Sequence, residues 1–123
     1  METQRAKREA AEARGRFAET RALAALAAEG FGLLAQRVRT PAGEIDLVVE
    51  KEGLLVFVEV KARATLSEAA FSLGARQQAR LLAAGEIWMA RNPGHGAAGV
   101  RFDVMLVDAQ GRVRRVADAL RLG

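Results

Sequence analysis

From Gly43 to Arg63 the chain reads GEIDLVVEKEGLLVFVEVKAR, with apolar residues first at every second position and then nearly continuous. This pattern predicts two strands, Glu44 to Glu50 and Leu54 to Ala62, joined at Lys51-Glu52-Gly53 as a hairpin. An even loop sets Asp46 opposite Glu59 and Glu44 opposite Lys61 in antiparallel pairing. All four side chains then share one face. Ile45, Leu47 and Val49 lie against Leu54, Val56, Val58 and Val60 on the other, which is apolar throughout and reads as a core face.

The rest of the chain divides around this hairpin. Residues 1–14 are helix formers of mixed charge with no apolar stripe, a solvated helical or frayed extension. A helix follows from Gly15 to about Glu29, ended by Gly30, with Phe17, Leu23 and Leu26 marking its buried side. Glu19 projects from that apolar face, where pairing with an arginine such as Arg16 would compensate it. Leu33 to Arg39 is the first strand, and Thr40-Pro41-Ala42-Gly43 a turn. The segment ATLSEAAFSLG is either a helical turn capped by Ser67 or a mobile loop. Ala75 to Arg91 is the second helix, with Leu81, Ala84 and Trp88 buried and Gln77 on the same stripe. Asn92 to Gly99 is a glycine-rich loop, and its His95 reads as a solvated residue. Val100 to Asp108 and Val113 to Ala117 close the chain as two strands around Ala109-Gln110-Gly111. The order α-β-β-β-α-β-β gives an α/β layered fold, a mixed sheet of about five strands flanked by helices.

A length of 123 residues with a 50% hydrophobic fraction fits one domain, residues 15–123, preceded by the 1–14 extension. With no cysteine, thiolate metal sites and nucleophiles are excluded, so any metal is oxygen-ligated. No apolar run reaches the roughly 18 to 20 residues of a membrane span, and the start lacks a secretory apolar region, which predicts a cytoplasmic protein without membrane contact. Of the net charge of +4, the first 61 residues contribute nothing, with ten basic and ten acidic groups, while the remainder carries nine basic and five acidic. Such an excess suits a polyanionic partner.

Opposed carboxylates at Asp46 and Glu59, with Cβ atoms about 4.5 to 5.5 Å apart, repel and weaken a hairpin unless compensated. Lys61 compensates in part. A divalent cation such as Mg²⁺, which takes hard oxygen ligands, would do so fully and would serve phosphodiester hydrolysis. Lysine is rare here, only Lys7, Lys51 and Lys61 among nineteen basic residues. A shiftable, compact charge at Lys61 suits a catalytic role. The competing reading is an exposed cross-strand salt bridge.

Asp46 followed by Glu59-Val60-Lys61 resembles the D...ExK core of the PD-(D/E)XK nuclease superfamily, and GEIDLVV...LLVFVEVKAR is similar to the YraN-like family. GRFAE, RQQARL and RFDV extend the resemblance from about Gly15 to the C-terminus. It implies that Asp46, Glu59 and the Val60 carbonyl ligate Mg²⁺ or Mn²⁺, that Lys61 assists the attacking water, and that Glu19 completes the acidic cluster. It also implies that Gln77 positions substrate or Lys61, with Arg63, Arg76 and Arg80 as nucleic-acid contacts. By itself Gln77 is equally an ordinary helix residue. The implied reaction is endonucleolytic hydrolysis of DNA, and similarity to Holliday-junction resolvases points to branched DNA and a homodimer. Arg37 stands at a usual asparagine position of the family and Arg76 at a usual lysine, so fine positioning of substrate differs. Asp103 within RFDV matches a family motif, yet alternation makes it equally an edge-strand charge or an arginine partner. Two rivals belong to other classes: a non-catalytic nucleic-acid-binding module that keeps the fold, and a protein-interaction subunit recruiting a partner through an exposed hairpin edge.

Overall fold

The computed structural model describes residues 3–66 and 74–119. Its elements are α1 (Gln4–Ala28), β1 (Gly32–Thr40), β2 (Gly43–Lys51), β3 (Leu54–Ala62), α2 (Ala75–Arg91), β4 (Gly99–Val107) and β5 (Val113–Val116), the order the periodicity predicts. They build one mixed sheet, β1-β2-β3-β4-β5, in which only the β3–β4 pair is parallel. That pair is joined through α2, the connection a parallel neighbour requires. Ser67 lies outside the described residues.

The local chemistry of the turns sets this frame. Glu52 and Gly53 both have positive φ, 50° and 81°, and Lys51 faces Leu54, so β2 and β3 meet in a two-residue turn whose twist matches that of the strands. Thr40 closes the β1–β2 turn, its Oγ1 accepting from the Ala42 and Gly43 amides, both at 3.1 Å. At the end of α1, the amides of Gly30 and Phe31 donate to the carbonyls of Ala27 and Leu26, and Gly30 takes a φ of 93°. This is a Schellman ending, and glycine adopts its left-handed residue without strain. α1 starts at Gln4, where Thr3 Oγ1 accepts from the Ala6 amide at 3.0 Å, so the charged residues before Gly15 form its first turns.

Each face of the sheet is covered by one helix. Ala18, Ala22 and Leu26 of α1 pack on Leu47, Val49, Val56, Val58, Met105 and Val107. Ala84 and Trp88 of α2 pack on Val48, Leu55 and Phe57 from the other side. Gly85 lets α2 approach closely, because a Cβ there would stand 2.9 Å from the Phe102 ring and 3.2 Å from that of Phe57. The rings of Phe57 and Phe102 stack at 5.1 Å and Trp88 meets Phe57 edge-on at 5.8 Å. Both faces of the central hairpin are thus core along its turn half, which follows from a sheet clad on both sides.

Several expectations are corrected. Ile45 joins the cluster under α2 rather than Leu47 and Val49, because the alternation slips at Asp46, beside the left-handed Arg37 (φ 51°) of β1. Phe17 is 45% exposed, and the buried side of α1 runs instead through Ala18, Ala22 and Leu26, with Leu23 partly buried beside them. The hairpin offers no edge for a partner, since β1 and β4 flank it. Of the two readings of Asp103 the arginine partner holds: β5 covers β4, and the buried carboxylate accepts from Arg101 Nε and Nη2, both at 2.8 Å, and from the Asp118 amide at 3.0 Å. His95 is exposed, as expected, and its Nδ1 also lies 3.1 Å from Glu50 and its ring 5.5 Å from that of Trp88.

Candidate metal and phosphate site

Where β2 leaves β3, the hairpin creates a polar gap. The ladder of paired residues runs from Lys51 and Leu54 to Leu47 and Val58 and stops one step short of the Asp46 and Glu59 pair that the same register brings next. Asp46 Oδ2 instead accepts the Val60 amide at 2.7 Å, so a side chain takes the place of the strand's backbone. The predicted cross-strand pair of Glu44 and Lys61 is not formed as a ladder pair, and Glu44 faces Arg39 of β1. In an extended strand the N–H and C=O of one residue point to the same side, so the Val60 carbonyl also faces Asp46.

Glu59 is the hub on β3. Its Oε1 lies 3.0 Å from Lys61 Nζ and accepts from Gln77 Nε2 at 3.3 Å, which joins the first turn of α2 to the central strand. The Glu59 and Lys61 side chains are 14% and 25% exposed. They are therefore shielded more than the open salt bridge of the competing sequence reading. A cavity of about 160 Å³ opens beside them, lined by Gly43, Glu44, Glu59, Gln77, Arg80 and Leu81. Gln77 and Arg80 lie one turn apart on α2 and project together, as their spacing requires.

Burial pushes the Asp46 carboxyl up to about 6, against the Val60 amide that favours its charged form, and the neighbouring carboxylates of Glu59, Glu19 and Glu44 raise it further. Glu19 is therefore close enough to act on Asp46, but its own Oε1 is paired with Arg37 Nε at 3.2 Å, not with Arg16. Sequence reasoning singled out Arg37 as unusual without finding this pairing. The signal was present, an arginine in the strand next to the acidic residues, but its left-handed backbone was not readable.

The predicted site residues therefore separate into groups. Asp46, Glu59, Val60, Lys61 and Gln77 come together, Arg80 joins them on the cavity, and Glu19 approaches from α1. Arg76 is exposed on α2 and does not line the cavity. Arg63 lies past the end of β3, on a groove against α1. Among the described residues no group of three His, Cys, Asp or Glu side chains is arranged to hold an ion unaided. The donor chemistry nevertheless fits Mg²⁺ or Mn²⁺, since such ions keep several waters and need only one or two carboxylates beside them. Crowded carboxylates with one raised pKa are what a cation would relieve. No described helix is long and apolar enough to cross a membrane.

A family model described as "Uncharacterised protein family UPF0102" matches residues 18–107, which include every residue of this cluster. A UPF0102 protein of Granulibacter bethesdensis is 55% identical over 108 residues, covering 88% of this chain and 68% of its own. One from Rhodopseudomonas palustris is 54% identical over 93 residues, 76% of this chain and 71% of its own. One from Azorhizobium caulinodans is 46% identical over 118 residues, 96% and 90% of the two chains. The chain belongs to the UPF0102 family, the YraN-like group.

Proposed function

We propose that this protein is a metal-dependent endonuclease of the PD-(D/E)XK superfamily, hydrolysing phosphodiester bonds in DNA. The observation that carries the reading is the gathering of Asp46, Glu59 and Lys61 at the point where β2 and β3 part, with the Asp46 carboxyl raised to about 6 by burial and by like charges. Asp46, Glu59 and the Val60 carbonyl would hold Mg²⁺ or Mn²⁺, which when bound polarises the scissile phosphate and makes its water acidic. Lys61 orients the attacking water and offsets charge developing on the phosphate. Gln77 fixes the Glu59 carboxylate from α2, leaving it little rotamer freedom, and Arg80 receives a phosphate oxygen at the cavity. Hydrolysis adds the water oxygen to phosphorus as the ester P–O bond breaks, and the leaving oxygen takes a proton.

Branched DNA, acted on by a pair of subunits, is the substrate structure that the resemblance to resolvases favours. The non-catalytic binding module remains the rival reading, and Arg63, Arg76 and Arg80 would then carry its whole function. A calorimetric titration with Mn²⁺ separates the two without a guess at substrate. Wild-type protein should release heat that Asp46→Asn loses, followed by cleavage of branched or duplex DNA by the wild type alone. Absence of Mn²⁺ binding both with and without DNA would replace the nuclease with the binding module.

A further inference from the structure

A groove of about 580 Å³, within the size range of ligand pockets, lies between α1 and the ends of β3 and β4, outside the cavity at Glu59. Its walls are mostly apolar, with Phe17 on the helix side and Ala62 and Val107 on the sheet side, and Arg14 and Arg63 stand along it. Phe17 is 45% exposed although it adjoins buried Ala18. Its ring is nevertheless placed: a Cβ added to Gly111 would come within 3.1 Å of the ring tip, so the β4–β5 turn holds one edge. Asp108, the acidic residue of the groove, is neutralised by Arg112 Nε at 2.7 Å and by the amides of Gln110 and Arg112. The groove is apolar with arginines at its rim, Arg14 exposed on α1 and Arg63 donating Nη1 to the Ala62 carbonyl at 2.9 Å.

It lies on the α1 face of the sheet, while the cavity at Glu59 opens toward α2, and the two meet only along the end of β3. Ala62 and Arg63 directly follow Lys61, so by strand rise Arg63 is about 7 Å along the chain from the lysine. The groove also sits at the carboxyl ends of the parallel pair β3 and β4, where open α/β sheets take ligands.

The geometry points to a subsite for one unpaired nucleotide of the substrate strand, its base against the Phe17 ring and its phosphates toward Arg14 and Arg63. This deepens the nuclease reading and rests on it for the nature of the partner. A base offers a flat apolar face to a ring, and its phosphates offer charge to arginines, whereas a blunt duplex keeps its bases stacked inside. The preference is therefore for strands that carry an unpaired segment.

The test is fluorescence anisotropy of labelled DNA, in EDTA and again in Ca²⁺, with a single strand, a duplex carrying an unpaired overhang and a blunt duplex. Phe17→Ala is expected to weaken single-strand and overhang binding about tenfold and to leave the blunt duplex within about twofold, while Phe17→Trp retains binding. Arg14→Ala, on the exposed part of α1, lowers affinity for all three DNAs and reduces the salt slope by about one. Equal single-strand binding by Phe17→Ala and wild type overturns the subsite, as does an equal loss on all three DNAs or no binding by the wild type. The two readings fail separately. Phe17-dependent binding by a protein that never cleaves with Mg²⁺ or Mn²⁺ keeps the groove and removes the nuclease, whereas cleavage with Phe17-independent binding does the reverse.

Discussion

Asp46 and Asp103 are both aspartates embedded in the same sheet, and their surroundings are opposite. Asp103 has a side chain with no exposed surface and is saturated: two donors of Arg101, the Asp118 amide, and Arg115 Nε at 3.7 Å all face it. Asp46 receives one backbone amide and has three carboxylates around it. A carboxylate matched by cations is a structural part, because its burial is compensated within the chain. Among the described residues Asp46 has no cation of its own, because Lys61 sits on Glu59 and Arg37 on Glu19, and burial first and the like charges after it raise its pKa; under the nuclease reading a metal ion would supply that charge. The resemblance covers both GEIDLVV and RFDV and leaves the role of Asp103 open, and its contacts make it an arginine partner.

The largest test of this contrast is catalytic. Under the nuclease reading, Asp46→Asn and Lys61→Ala each lower the cleavage rate by about 10³-fold, whereas an Asp103 variant that still folds cleaves near the wild-type rate. Single-turnover cleavage measures both, and a selective loss at Asp103 would invert the comparison.

Stability is expected to answer in the opposite sense. Asp103→Ala leaves the Arg101 guanidinium beside an empty buried site and destabilises the fold by about 3 kcal/mol, read by urea denaturation. Asp46→Asn does the reverse at neutral pH. With its folded-state pKa raised above the ordinary value of 3.8 to about 6, Asp46 favours the folded state fully only below about pH 4, and that contribution is lost as pH rises through 6. In EDTA the asparagine variant, which cannot ionise, should therefore exceed the wild type by about 3 kcal/mol above pH 6.5 and match it below pH 4. A gap that is constant with pH would remove the raised Asp46 pKa, and with it the burial and the neighbouring carboxylates, from the account.

The smallest effect lies at the edge of the cluster. Arg37 holds Glu19, so Arg37→Ala should release that carboxylate toward Asp46 and tighten Mn²⁺ binding about threefold, a fraction of the affinity that one surface ion pair carries. Looser binding in the variant would show that Glu19 acts only as the partner of Arg37.

Much of the fold was legible because the decisive signals are local. Glu52-Gly53 and Thr40-Pro41-Ala42-Gly43 are turns by the chemistry of their own residues, Gly30 ends α1 by its backbone freedom, and the two-residue turn sets a register that brings Asp46 and Glu59 next to each other just past the end of the ladder. The candidate cluster was legible to the same extent, since Asp46, Glu59 and Lys61 sit on neighbouring strands whose register follows from the loop. What escaped are facts of neighbourhood. Phe17 has the spacing of a core residue but lies against a groove, and Ile45 has the parity of one cluster but packs in the other.

Amino-acid order alone thus specified which residues can share a strand face, where the chain must turn, and that Asp46, Glu59 and Lys61 lie close together on a hairpin. It did not specify which buried carboxylate is matched by arginine, which helix covers which face, or that Asp46 would accept the Val60 amide and end the ladder. Those outcomes depend on contacts between residues far apart in sequence, such as Glu19 with Arg37 and Glu59 with Gln77. Periodicity records how apolar a position is, and only packing supplies the charge and donor that stand against it.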